Sequence, residues 1–209
     1  PLLDAFDAAL PFALTDGQRA VGEQLDADMA RDHPMHRLLQ GEVGSGKTIV
    51  ALRAMLRVVD AGGQAALLAP TEVLAAQHHR TITTLLGPLA DAGMLGSSGP
   101  STIVALVTGA QGVKVRRRQL LDVVTGDAGI VIGTHALLED KVTFGDLALV
   151  VIDEQHRFGV EQRAALAAKA MEGSRPHVLV MTATPIPRTV AMTVFGDLDV
   201  STLAELPSG

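Results

Sequence analysis

Short apolar runs alternate along this chain with stretches in which apolar residues recur every three or four positions, the pattern of strands interleaved with amphipathic helices. Thr15 and Gln18 stand at capping-box spacing, and Val21, Leu25 and Met29 then recur on one helical face. Met35 to Val50 passes from a short apolar strand through a glycine-rich turn into a helix that runs from Lys47 to about Asp60, where Gly62 and Gly63 end it. Residues 64–69 form the next predicted strand, and Pro70, Thr71 and Glu72 open a helix over 73–86. Further strands are predicted at 102–107, 129–132 and 148–152, with a basic helix at 113–124. A helix from 159 to about 170, a strand at 177–181 and a last strand at 197–206 complete the series. Residues 92–101, rich in Gly, Ser and Pro and without periodicity, read as a mobile surface insertion.

This alternation predicts one α/β domain on a mostly parallel sheet with helices on both faces. Residues 148–152 are apolar throughout, as a strand covered on both faces must be, and the run stops abruptly at Asp153 and Glu154. In such sheets ligands bind beyond the carboxyl ends of the strands. Several strands here end in polar clusters, so one edge of the sheet is the candidate site.

Gly41, Gly46, Lys47 and Thr48 stand at the spacing G-x-x-x-x-G-K-[ST], with Gly44 and Ser45 inside the turn. Glycines let the backbone approach a polyphosphate with its N–H groups turned inward, and the start of the following helix adds partial positive charge. Lys47 would place a cation on the β- and γ-phosphates, while the Thr48 hydroxyl is an oxygen ligand suited to Mg²⁺. Asp153 can hold the Mg²⁺ and Glu154 can orient and deprotonate an attacking water, which is what Mg²⁺–nucleotide hydrolysis needs. Either carboxylate alone would read as a solvated strand end. The seven histidines show no metal spacing, and no zinc site is expected.

Composition narrows the partners. The 209 residues are 47% hydrophobic and 19% charged, ordinary for a packed domain, and no apolar run is long enough to span a bilayer, so a soluble, intracellular protein without a membrane partner is expected. There are no cysteines, hence no disulfides or thiolate metal sites. The formal charge of −6 argues against a surface that is a nucleic-acid footprint throughout, and the basic run Lys114, Arg116, Arg117 and Arg118 reads as a solvated helix face. With five Phe and neither Trp nor Tyr, stacking on bases is poorly supplied. Backbone-tracking contacts through N–H and hydroxyl groups remain open.

In order along the chain, Thr15/Gln18, GEVGSGKT, APTEVLAAQH, Thr108-Gly109, IGTH, DEQHRFGV and MTATPIPRT resemble the motifs of the first RecA-like motor domain of superfamily 2 DNA helicases, in particular the RecG family. The likeness runs from about Leu10 to Gly209. It implies a RecA-like P-loop fold with residues 1–14 as a lead-in, 15–206 as the ATP-binding domain and 207–209 as the start of a linker. It further implies ATP and Mg²⁺ as cofactors, and branched DNA (Holliday junctions, stalled forks) as partner of a monomeric, nucleoid-associated bacterial protein of the cytoplasm. A second RecA-like domain, supplying an arginine finger, and a wedge domain would act in cis, so the chain is expected to be half of a motor. Arg157 and Arg188 fall within first-domain motifs and are expected at domain interfaces or in structural roles.

The resemblance also implies residue roles. Phe12 and Gln18 would contact adenine; Gln155, His156, Thr182 and Thr184 would couple nucleotide state to DNA contact. Pro70, Thr71, Glu72, Thr108, Gly109, Gly133, Thr134 and His135 would form the DNA-side face, residues that also suit helix caps and turns. The motor domain of transcription-repair coupling factors shares HRFGV and TATPIPRT, but resembles GFGKT and DEEH where this chain has Ser45 and Gln155. From a different class, a P-loop phosphotransferase or nucleotide-gated binding module would share the loop without a need for DNA in hydrolysis.

Overall fold

The strands of the computed structural model are β1 (His36–Gly41), β2 (Gln64–Leu68), β3 (Ile103–Val107), β4 (Ala128–Gly133), β5 (Leu147–Asp153), β6 (His177–Thr182) and β7 (Asp199–Leu203). The structure describes residues 2–31, 34–41, 46–90, 101–109, 111–134, 137, 144–153, 176–183 and 199–203. Among these the strands make one sheet in the order β3-β4-β2-β5-β6-β1-β7, every pairing parallel. The helices are α1 (Leu2–Ala9), α2 (Asp16–Met29), α3 (Lys47–Asp60), α4 (Glu72–Leu86) and α5 (Val113–Thr125). The helix expected at 159–170 and nearly all of the insertion expected at 92–101 lie outside the described residues.

Successive strand residues point to opposite faces, so a strand apolar throughout feeds two cores. Leu39, Leu67, Ile132, Val151 and Leu179 pack with Leu25 of α2, Met55 of α3 and Ile82 of α4, whereas Leu38, Leu68, Val150 and Val180 join Val123 of α5. Leu52, Met55 and Leu56 of α3 are 0% exposed, and each such side chain contributes about 1.5–3 kcal/mol. The helix that follows the glycine-rich turn is therefore held by its own packing, independent of any ligand. Gly62, at φ 93°, lets the chain leave α3 in the left-handed region and turn into β2.

At the sheet's edge, β7 is tied by a polar network in which Arg37, Asp28 and Ser201 are buried. Arg37 of β1 donates from Nε to Asp28 Oδ2 of α2 at 2.7 Å and from Nη1 to Ser201 Oγ of β7 at 2.8 Å, and Ser201 Oγ donates to Gln24 Oε1 at 2.6 Å. The start of the chain is equally fixed. Asp60, at the end of α3, caps α1 by accepting from the N–H groups of Leu2 and Leu3 at 2.8 and 3.0 Å, and Arg53 grips Asp7 with two bonds of 2.9 and 3.0 Å. Leu2, Leu3 and Phe6 are buried beneath these contacts.

Register brings the strand ends level. Asp153 pairs with Met181, Gln40 with Thr182, Leu68 with both Ile152 and Gly133, and Val107 with Gly133. Gly41, Ala69, Thr108, Gly133, Asp153 and Thr182 consequently share one edge, as the sequence pattern leads one to expect.

Candidate functional site

Gly41 ends β1 and Gly46 precedes α3 at φ 86°, a left-handed conformation that closes the loop into the helix without a side chain. Gly44 and Ser45 lie outside the described residues. Lys47, the first residue of α3, donates from Nζ to the carbonyl of Gly41, so the ammonium is folded over the end of β1. Burial pushes its pKa down, while the nearby negative charge of Asp153 pulls it back up. The structure thus brings Lys47 and Asp153 into electrostatic reach, with Thr48 half-buried in the first turn of α3. Glu154, Gln155, His156 and Thr184 lie outside the described residues, and Thr182 is buried at the end of β6.

Gln18 is built into the start of α2. The Thr15 N–H donates to its Oε1 at 2.9 Å, the Gln18 N–H donates to Thr15 Oγ1 at 3.1 Å, and the capping box is complete. Its Nε2, in a residue only 1% exposed, has no partner among the described residues. A buried amide donor left unpaired costs about 1–3 kcal/mol, which a ligand acceptor would recover. Phe12 is half-buried and, with Leu10, Leu14, Arg19 and Arg53, lines a cleft of about 400 Å³; Gln18 is not among its lining residues, although Arg19 and Gly22 of the same helix are.

The residues expected on the DNA side gather at the ends of β2, β3 and β4. Pro70, Thr71 and Glu72 are exposed, and Thr71 Oγ1 caps α4 by accepting from the Leu74 N–H at 3.2 Å. The Gly109 N–H donates to Glu72 Oε1 at 2.8 Å, and Gln111 braces the same turn by accepting from the Thr108 N–H at 3.2 Å while donating to the Leu106 carbonyl at 2.7 Å. Gly133 has a packing reason of its own, since a Cβ there would stand 2.7 Å from the Val107 carbonyl and 2.8 Å from Leu137. The Thr134 carbonyl accepts from the Leu137 N–H at 3.0 Å. His135 lies outside the described residues. Sequence reasoning missed His78, whose Nε2 lies 2.6 Å from Asp153 Oδ2. Its signal was present as the histidine that ends APTEVLAAQH, but nothing local connects it to a carboxylate 75 residues on.

A phosphate-loop helix and an acidic strand end at one edge of a parallel sheet are shared by many nucleotide-binding proteins, and the wider pattern decides among them. The DEAD/DEAH box helicase family model matches residues 15–193. This chain belongs to the DEAD/DEAH box helicases. It is 62% identical over 200 residues to the ATP-dependent DNA helicase RecG of Mycobacterium tuberculosis, covering 96% of this chain and 27% of that protein. To the RecG of Streptococcus pneumoniae it is 48% identical over 205 residues, covering 98% of this chain and 28% of that protein. The chain thus spans little more than a quarter of the length of these relatives.

Among solved structures, a RecG bound to a three-way DNA junction superposes with a TM-score of 0.78 at 40% identity, covering 100% of this chain and 26% of that one. The helicase MrfA bound to DNA and AMPPNP superposes with a TM-score of 0.72 at 17% identity, covering 99% of this chain and 29% of that one, a likeness of fold alone. The expected RecA-like fold and the RecG resemblance of this DEAD/DEAH box helicase chain both stand. Among its described residues no helix is long and apolar enough to cross a membrane.

Proposed function

We propose that this chain is the first of two motor domains of a RecG-type DNA helicase, which binds ATP with Mg²⁺ at the carboxyl edge of its sheet and couples hydrolysis to movement on branched DNA. The observation that carries the reading is that Lys47, folded over the end of β1, lies within electrostatic reach of Asp153 at that edge, with the Gln18 Nε2 donor on the adjacent helix buried and unpaired among the described residues. The 40% identity to a RecG solved on a three-way junction supports branched DNA as the partner.

In this reading Gln18 Nε2 donates to adenine, and its carbonyl, which has a second lone pair, accepts from the base; Phe12 flanks it. The N–H groups around Gly46 and the start of α3 cradle the phosphates, and Lys47 leaves the Gly41 carbonyl to take the β- and γ-phosphate charge. Thr48 and Asp153, both oxygen donors, would hold Mg²⁺, a fit to that hard cation's preference. Once bound, Mg²⁺ neutralises charge developing on the transferred phosphoryl group. Glu154 takes the proton of the attacking water. Gln155, His156, Thr182 and Thr184 pass nucleotide state to the DNA side, where Thr71, Thr108, Gly109 and Thr134, with Pro70, Gly133 and His135, track the sugar-phosphate of one strand. Glu72 holds the Gly109 N–H until a phosphate oxygen replaces it.

An arginine finger from a second motor domain is worth about 10³–10⁵ in kcat, so this chain alone is expected to hydrolyse ATP near background whether or not branched DNA is present. The protein containing both motor domains is expected to show DNA-stimulated steady-state ATPase at low salt, weakening as salt rises. Robust DNA-stimulated turnover by this chain alone, abolished by Lys47→Ala, would show it to be a complete motor. Turnover by the two-domain protein that is indifferent to DNA would leave a nucleotide-gated module instead.

A further inference from the structure

His78 and Asp153 meet although 75 residues separate them in sequence. Nε2 of the imidazole lies 2.6 Å from Oδ2 of the carboxylate, and the two side chains are only 17% and 18% exposed. A carboxylate oxygen accepts, so Nε2 carries the proton, and hydrogen bonds to carboxylates are the stronger class. The imidazole rises from the packed side of α4. Ala75 and Ile82, three residues before it and four after it on α4, are both 0% exposed, which sets His78 on the helix's buried stripe facing the sheet. Its neighbour His79 points elsewhere, with Nε2 at 3.1 Å from the Val104 carbonyl of β3. The helix that carries His78 also begins at Thr71 and Glu72, so one rigid element joins the DNA-side strand end to Asp153.

We propose that His78 is a positioning residue for the metal–nucleotide site: its bond fixes the plane of the Asp153 carboxylate by engaging one oxygen, and leaves the other to Mg²⁺ or a water of its shell. The inference rests on the reading of Asp153 as a Mg²⁺ residue. Groups that hydrogen-bond a ligating side chain typically matter by about 10–100-fold in metal affinity. A bond that merely fastened α4 to β5 would, when lost, lower thermal stability and leave the demand for Mg²⁺ unchanged.

The test is a titration of this chain with a fluorescent ADP over a range of Mg²⁺ concentrations, comparing wild type, His78→Phe, His78→Gln and Asp153→Ala. Phe keeps the ring and loses the donor, whereas the Gln amide can place a nitrogen donor close to where Nε2 stands. His78→Phe is expected to raise the half-maximal Mg²⁺ concentration at least about tenfold, with unchanged ADP affinity in EDTA, and His78→Gln is expected to restore the wild-type demand. If Asp153→Ala shifts the Mg²⁺ demand and His78→Phe does not, or if His78→Gln fails to restore it, the role of His78 is refuted while the metal reading survives. If Asp153→Ala itself leaves the demand unchanged, the metal reading falls and the inference with it. Should His78→Phe not fold, nitrogen NMR of the wild-type chain decides: the His78 Nε2 proton must stay protected from exchange when Mg²⁺ and ADP are added, and its loss overturns the proposal.

Discussion

Thr15 and Gln18 share a capping box, yet their replacement is expected to have opposite consequences. Thr15→Ala removes the oxygen that accepts the Gln18 N–H at 3.1 Å, a loss of cap worth about 0.5–2 kcal/mol. For a chain of this size that lowers Tm by about 2–4 °C per kcal/mol. Gln18→Leu removes the other half of the box, the Thr15 N–H to Oε1 bond of 2.9 Å, worth about 0.5–1.5 kcal/mol. It also deletes the buried Nε2, unpartnered among the described residues, whose burial costs about 1–3 kcal/mol. The two terms offset, so Gln18→Leu is expected to melt at or slightly above wild type. Nucleotide binding should separate the pair in the other direction. Thr15→Ala keeps the amide and should bind ADP as wild type does, whereas Gln18→Leu loses one or two base contacts and should bind about tenfold more weakly, 1.4 kcal/mol being a factor of ten. It should also lose the preference of ADP over GDP, because the Gln amide matches N6 and N7 of adenine. Thermal melts and isothermal calorimetry with both nucleotides measure all of this. Unchanged ADP affinity and discrimination in Gln18→Leu would refute the assignment of that unpaired amide to the base.

Glu154→Gln in the protein with both motor domains should keep nucleotide affinity and lose about 10²–10⁴-fold in single-turnover hydrolysis; an unchanged rate would remove Glu154 as the base. Phe6→Ala, at a side chain 1% exposed, should cost about 3–5 kcal/mol and lower Tm by roughly 6–20 °C, and an unaltered melt would mean that α1 is not docked on α3.

The fold around the candidate site was legible where its signals are local. The run from β1 through Gly46 into α3 shows as a glycine-rich stretch between an apolar strand and an amphipathic helix, and the stop of β5 at Asp153 is visible as an apolar run broken by acids. Parallel pairing followed from strands interleaved with helices, but the strand order did not. That β1 lies between β6 and β7 depends on contacts such as Arg37 with Ser201, which no periodicity reports. Helix α1 stayed hidden for the same reason: its cap is the Asp60 carboxylate, 58 residues from Leu2, and its buried face exists only against α3. Gly133 could be read as a strand-end residue, yet the reason for glycine there is the Val107 carbonyl of a neighbouring strand. His78 belonged to a recognised motif and still carried no role until the fold set it against Asp153.

The central claim is that the edge around Lys47 is a Mg²⁺–nucleotide site. Calorimetry of this chain with Mg²⁺–ADP, beside Lys47→Ala, tests it most directly. Wild type is expected to bind and the variant to lose binding, because the ammonium that leaves the Gly41 carbonyl is the cation offered to the phosphates. Equal binding by the two would contradict the account.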